Sequence, residues 1–195
     1  MLNATLMAYI IGPTNSGKST LLEAIALDQP TWGRIEIGKA MRAKYPPSHF
    51  QGQCNPAHTA VEAWEMFTAA RNKYRGDMCP VVVVDGQPRD MTQCHDILEE
   101  NVPAFTRLFV HLYAPPDVLA NRACTRDGGN PEKLRLSSAR LTTDIPHLYN
   151  IISRIGSSGA FMCHVDTSRP DYSVKETIGL IQQFRYNDYM FKEIS

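Results

Sequence analysis

The sequence predicts an α/β protein three layers deep, with a central parallel sheet of five strands and helices on both faces. Three observations carry that reading. Short continuous apolar runs recur along the chain, segments of helical spacing or length separate them, and a glycine-bearing loop joins the first run to the first helix. Strands buried on both faces read as unbroken apolar runs, and parallel neighbours need a crossover that is usually a helix. In sheets of this kind ligands bind at the carboxyl ends of the strands.

Taken in order, TLMAYII at 5–11 reads as the first buried strand and LLEAIAL at 21–27 as the first helix. RIEI at 34–37 is a short further strand. Tyr45 with Pro46 and Pro47 marks a helix stop and a rigid bend, since proline fixes its own φ and restricts the residue before it. The segment 59–74 is helical, with Trp64, Phe67 and Tyr74 at near-helical spacing to pack on the sheet. Its basic end, RNKYRG at 71–76, suits the negative pole of a helix. VVVV at 81–84, RLFVHLY at 107–113 and FMCHV at 161–165 are the remaining strands. Helices are expected at 91–101, at 137–155 with an interruption at Pro146, and at 174–184.

Composition narrows the function. A chain of 195 residues fits one domain with a substantial core, and twenty Lys plus Arg against twenty Asp plus Glu leave no global charge to drive tight nucleic-acid binding. Five cysteines with no C-x-x-C pair indicate neither a disulfide framework nor a zinc knuckle, so reduced thiols and a cytoplasmic location are expected. No apolar run approaches a membrane span, and no basic segment precedes the first apolar run as it would in a signal peptide.

The chemistry lies first in IIGPTNSGKSTLLEAIA at 10–26. Gly12, Gly17, Lys18 and Ser19 fill the fixed places of G-x-x-x-x-G-K-[ST], between a strand and a helix as that motif requires. Backbone N–H groups of the loop and the positive helix end surround phosphates, Lys18 adds a point charge, and the Ser19 hydroxyl can coordinate Mg²⁺. ATP with Mg²⁺ is therefore expected over residues 12–20, which adds Asn15, Ser16 and Thr20 to the set. The second stretch is VVVVDGQPRDMTQ at 81–93. A carboxylate directly after a buried strand stands at the sheet edge where the phosphate loop emerges, so Asp85 is placed to reach the Mg²⁺ shell, and Arg89 to present a guanidinium to the same cleft. His95 beside Cys94 has no oriented acid near it and reads as packing.

Together these segments resemble the nucleoside monophosphate kinases, most closely the adenylate kinases, over nearly the whole chain. IGKAMR at 37–42, GQCNPAHTAVEAW at 52–64, DGQPR at 85–89 with Gln93, PDVLANRACTR at 116–126 and HVDTSRPDYSVKETI at 164–178 carry the likeness. The resemblance implies the three-layer P-loop NTPase fold, with the phosphate-loop strand in the middle and Asp85 at the end of its neighbour. It implies a single domain with an acceptor-binding insertion at about 38–77 and a short lid at about 126–133. Arg42, Gln53, Gln87, Arg89 and Gln93 would face the acceptor, and Arg122 would lie against the donor base. Lys18, Arg89, Arg126, Arg135 and Asp85 would serve the transfer, with Arg140 as the weaker candidate for the arginine after the lid. Phosphoryl transfer needs little covalent help and much charge stabilisation, which explains why such a set is cationic.

Departures from the family bear on the acceptor. Gln87 replaces the usual phenylalanine and can hydrogen-bond a substrate, while only DGGNPEK separates Arg126 from the next helix, so the lid is cut down. The expected reaction moves the γ-phosphate of ATP to a nucleoside monophosphate. The alternative acceptor is a hydroxymethylated pyrimidine such as hydroxymethyluracil in DNA, as some phage kinases use, and a non-catalytic nucleotide-binding module ranks third. A monomer is favoured.

Overall fold

The structure is a computed structural model that describes residues 4–45, 57–74, 79–100, 105–126 and 128–194. Strand β1 (Thr5–Ile11) leads through the phosphate loop into α1 (Lys18–Asp28), then β2 (Gly33–Glu36), α2 (Ile37–Lys44) and α3 (Ala57–Tyr74). Next come β3 (Val81–Asp85), α4 (Met91–Glu99), β4 (Phe105–Tyr113), α5 (Pro116–Arg126), α6 (Pro131–Ser157), β5 (Phe161–Asp166) and α7 (Val174–Ile194). All strands are parallel, in the order β2-β3-β1-β4-β5. The predicted α/β class and the central place of the phosphate-loop strand both hold.

Every residue of β1 is buried because alternate side chains feed two cores. Leu6, Ala8 and Ile10 pack with Leu21, Leu22 and Ile25 of α1 and Ile178 and Ile181 of α7. Met7, Tyr9 and Ile11 meet Phe67 of α3, Ile97 of α4 and Ile151 and Ile155 of α6 on the opposite face. Tyr9 stacks on Phe109 of β4 with ring centroids 5.1 Å apart, which ties the two central strands through the second core.

Several element boundaries differ from the sequence reading. Ile37, read as the end of a strand, starts α2. The last helix runs on from 184 to Ile194. Helix α6 begins at Pro131 rather than at 137 and continues through Pro146. Its start is explained locally: the Asn130 side chain accepts hydrogen bonds from the N–H groups of Glu132 and Lys133, and proline at the first helical position lacks only an N–H that would have been unsatisfied anyway. Just before α6, Gly128 and Gly129 take φ 61° and 73°, a left-handed turn that glycine adopts without strain. Among the described residues no helix is long and apolar enough to cross a membrane.

Candidate active site

The chain leaves β1 at Gly12, whose φ is 155°; a Cβ there would stand 2.3 Å from the Leu112 carbonyl oxygen of β4. Only glycine lets the loop pass so close to the neighbouring strand. Asn15 follows in the left-handed region at φ 68°, and Gly17 at φ 95° caps α1. Asn15 is held there from α5. Its side-chain N–H₂ donates to the Leu119 carbonyl at 3.3 Å, and its Oδ1 accepts from Arg126 at 2.7 Å. Arg122 donates to the Asn15 carbonyl at 3.3 Å and to the Thr167 hydroxyl at 3.0 Å, so it ties the loop to the segment after β5. Arg126 also donates to the Ser137 hydroxyl of α6 at 3.0 Å. Lys18 Nζ donates to the carbonyls of Gly12 and Pro13, both at 2.8 Å, which folds its side chain back over the loop. Burial pushes the Lys18 ammonium below its ordinary pKa, and the carboxylates of Asp85 and Asp144 oppose that shift.

Parallel registry brings the second motif alongside. Ile10 of β1 pairs with Asp85, and Glu36 of β2 pairs with Asp85 from the other side. Burial raises the Asp85 carboxyl above the usual carboxylate range, against the pull of Lys18 and Arg89. Its Oδ1 is buried without a hydrogen-bond partner, as is the Ser16 hydroxyl in the loop. An orphaned carboxylate oxygen beside a phosphate loop fits a divalent cation, and Ser19 and Asp85 are the residues that would hold Mg²⁺ there.

Gln87 is 1% exposed, lines the cleft, and neither polar atom of its amide has a partner among the described residues. The next residues are anchored. Arg89 donates from Nε to the Gly86 carbonyl at 2.9 Å, while its backbone N–H is held by the Gln93 side chain at 2.8 Å. Gln93 is thereby engaged in shaping the turn. Burial lowers the Arg89 pKa. A Cβ on Gly38 would be 3.4 Å from a guanidinium nitrogen of both Arg42 and Arg89, so the two cations converge on that glycine. Two guanidinium groups on one glycine offer paired donors of the kind that suits an anion.

These elements open on one cleft of about 1590 Å³. That exceeds the usual range for a single small-ligand pocket, about 300–1,000 Å³, and leaves room for a nucleotide and a second substrate. Among the described residues its lining includes Lys18, Arg42, Arg89, Arg122, Arg126 and Arg140, against the carboxylates of Asp85, Asp90 and Asp144. A chain of zero net charge thus gathers cations in the cleft, which the charge balance of the sequence conceals. Arg140 lines the cleft, whereas Arg135 is exposed on α6 and does not. Gln53 lies outside the described residues. Ser19 and Thr20 stand exposed at the start of α1, facing the opening.

No protein-family model matches this chain. Nor does any curated protein sequence match it. Solved structures do: a gluconokinase from Sinorhizobium meliloti superposes with a TM-score of 0.61 at 20% identity, covering 97% of this chain and 97% of that one. A protein from Chloroflexus aurantiacus that carries a kinase assignment gives 0.63 at 16% identity, covering 96% and 98%. The chain has the three-layer P-loop NTPase fold.

Two features of the cleft were not singled out in the sequence. Asp144 on α6 accepts a hydrogen bond from the Thr14 hydroxyl at 3.2 Å, across the mouth of the phosphate loop. No motif surrounds it; its placement follows from the path of α6. The other is a histidine pair beneath the loop, with His111 Nδ1 of β4 3.0 Å from His164 Nδ1 of β5. Burial, then His164 and Lys18, lower the His111 pKa to about 4. A depressed histidine pKa means that the unfolded chain binds a proton the folded one refuses, so this contribution to stability is complete above about pH 6.5 and drains away as pH falls toward 4. Chemical denaturation at pH 7.5 and pH 5 should show wild type losing up to about 2 kcal/mol more than His111→Phe, an upper bound that solvent screening of this partly buried ring reduces. Parallel pH curves for the two proteins would refute the assignment.

Proposed function

We propose that this protein is a kinase that moves the γ-phosphoryl group of ATP to an acceptor seated beside Arg42 and Arg89. One observation carries the reading: a complete phosphate loop and the partnerless Asp85 oxygen share one cleft with a second, separate anion site. A binding protein for ATP alone has no use for that second site. The kinase names of the structural neighbours agree with the reading.

Bound Mg²⁺ would neutralise charge on the β- and γ-phosphate oxygens. Gly12, Asn15, Ser16, Gly17 and Thr20 shape and line the cradle, Lys18 swings from the two loop carbonyls to the phosphates, and Arg122 and Arg126 hold the loop through Asn15. Arg126 is assigned to the transferring group, and cleft lining favours Arg140 over Arg135 as the arginine after the lid. Gln87 offers an amide to the acceptor from a site where its own hydrogen bonds are unmet, and Arg42 and Arg89 grip the acceptor's anionic group. Gln93 acts through Arg89, whose backbone it fixes. The resemblance to nucleoside monophosphate kinases makes a monophosphate the first acceptor to try. The Asp144 carboxylate favours a second reading, an acceptor that reacts through a hydroxyl.

Transfer from labelled ATP into a panel of nucleoside monophosphates, sugar acids and hydroxymethyluracil-containing DNA tests the assignment. Arg89→Ala should raise the Michaelis constant for the acceptor by about 10²-fold, the worth of a charge-assisted contact, while calorimetry finds ATP affinity within about twofold of wild type. An equal loss of ATP binding would move Arg89 to the donor side and defeat the two-site reading.

A further inference from the structure

We propose that the acceptor attacks through a hydroxyl group and that Asp144 is the base that receives its proton. The inference rests on the kinase reading above and names the class of acceptor.

Helix α6 presents one face to the cleft, with Arg140, Asp144, His147, Leu148 and Ile151 along it at helical spacing. Asp144 is the carboxylate on that face. One of its oxygens accepts the Thr14 hydroxyl at 3.2 Å, and Thr14 belongs to the phosphate loop, two residues beyond Gly12. The same carboxylate acts electrostatically on Lys18 at the donor side and on Arg89 at the acceptor side. It therefore lines the same cleft as the phosphate loop and the paired arginines, hydrogen-bonded to the loop and within electrostatic reach of both sides.

Among the described residues the other cleft carboxylates have roles already. Asp85 is assigned to the cation, and Asp90 caps α4 by accepting the Gln93 N–H at 2.8 Å. Glu36 pairs in register with Asp85 but does not line the cleft among the described residues. Asp144 accepts through one oxygen only, among the described residues, which leaves the second open to the cleft.

Chemistry then separates the two kinds of acceptor. A monophosphate attacks with an oxygen that is already ionised near neutral pH, needs no base, and is repelled by a carboxylate beside it. A hydroxyl must shed its proton as the bond to phosphorus forms, and a positioned aspartate is the group that accepts it in other kinases. In the proposed step the hydroxyl oxygen bonds to the γ-phosphorus, the bond from that phosphorus to the β,γ-bridging oxygen breaks, and ADP leaves with the electron pair. The hydroxyl proton passes to Asp144 and then to solvent. The product is a phosphomonoester. Arg42 and Arg89 add the requirement that the same molecule carry an anion, as a sugar acid or a DNA strand bearing a hydroxymethyl base does.

Asp144→Asn preserves the shape of the side chain and its bond from Thr14 but cannot take a proton. It should lower transfer to a hydroxyl acceptor, and the enzyme's slow hydrolysis of ATP by water, by about 10²–10⁴-fold. ATP affinity by calorimetry should stay within about twofold, and the melting temperature of the ligand-free protein should not move. Gluconate and a hydroxymethyluracil oligonucleotide serve as separate acceptor arms, with phosphorus NMR reporting a phosphomonoester in whichever is used. Formation of nucleoside diphosphates at a rate the variant leaves unchanged would overturn the inference while keeping the kinase. Wild-type turnover in the variant with any hydroxyl acceptor would reduce Asp144 to a tie on Thr14. Failure of the wild type to bind ATP, or binding with neither transfer nor hydrolysis, would remove the kinase reading and this inference with it.

Discussion

Lys18→Ala is expected to cut phosphoryl transfer by about 10³-fold or more, the scale at which a single oriented donor to developing charge counts in a water-poor site. Lys18 rests on the carbonyls of Gly12 and Pro13, within the loop that would surround the phosphates. Its burial already makes the ammonium costly in the ligand-free protein, with Asp85 and Asp144 offsetting part of the cost. A bound triphosphate relieves that cost by placing negative charge where Nζ points, so the energetic gain is concentrated in the liganded state. The variant should therefore fold as well as wild type while its calorimetric titration with ATP and Mg²⁺ weakens sharply. Undiminished transfer would remove Lys18 from the site.

Gly12→Ala should be the most damaging single methyl group in the protein. The added Cβ would lie 2.3 Å from the Leu112 carbonyl oxygen and 2.7 Å from the Ser16 hydroxyl, at a φ of 155° that side chains rarely adopt. The hydroxyl can rotate; the carbonyl cannot, because β4 is pinned between β1 and β5. The loop must shift, at a cost of about 2–4 kcal/mol in stability, and its N–H groups then no longer converge on phosphate. Gly17→Ala is the informative control. Its φ of 95° is also unfavourable, but a Cβ there meets nothing within 4 Å, so only the backbone penalty of about 1–2 kcal/mol remains. Chemical denaturation and ATP titration of both variants check the ordering, and a Gly12→Ala protein with wild-type stability and binding would refute it.

The strands, the phosphate loop and Asp85 were legible from the letters because each is specified by its immediate neighbours along the chain. TLMAYII and VVVV are apolar throughout since both their faces are covered, and G-x-x-x-x-G-K-S needs only a strand before it and a helix after it. The sheet order required more, namely the likeness to a known family. The early start of α6 also had a local signal, asparagine followed by proline at 130–131, which the search for apolar periodicity passed over because the first turns of that helix are largely exposed.

The cleft is another matter, since its chemistry comes from residues far apart in sequence. Arg42 and Arg89 meet over Gly38 because β2 and β3 are neighbours, and Arg122 and Arg126 close on Asn15 because α5 returns to the loop. Twenty positive and twenty negative side chains sum to nothing in composition; folding sorts them, and the cationic excess exists only in the folded cleft. Arg135 and Arg140 could not be ranked from spacing alone, because a helix turns by a fixed angle per residue but its rotation about its own axis is set by packing, here by Leu141, Ile151 and Ile155. The same rotation carries Asp144 to Thr14 across 130 residues of chain. No pattern around either residue announces that contact, because it depends on where two packed elements cross.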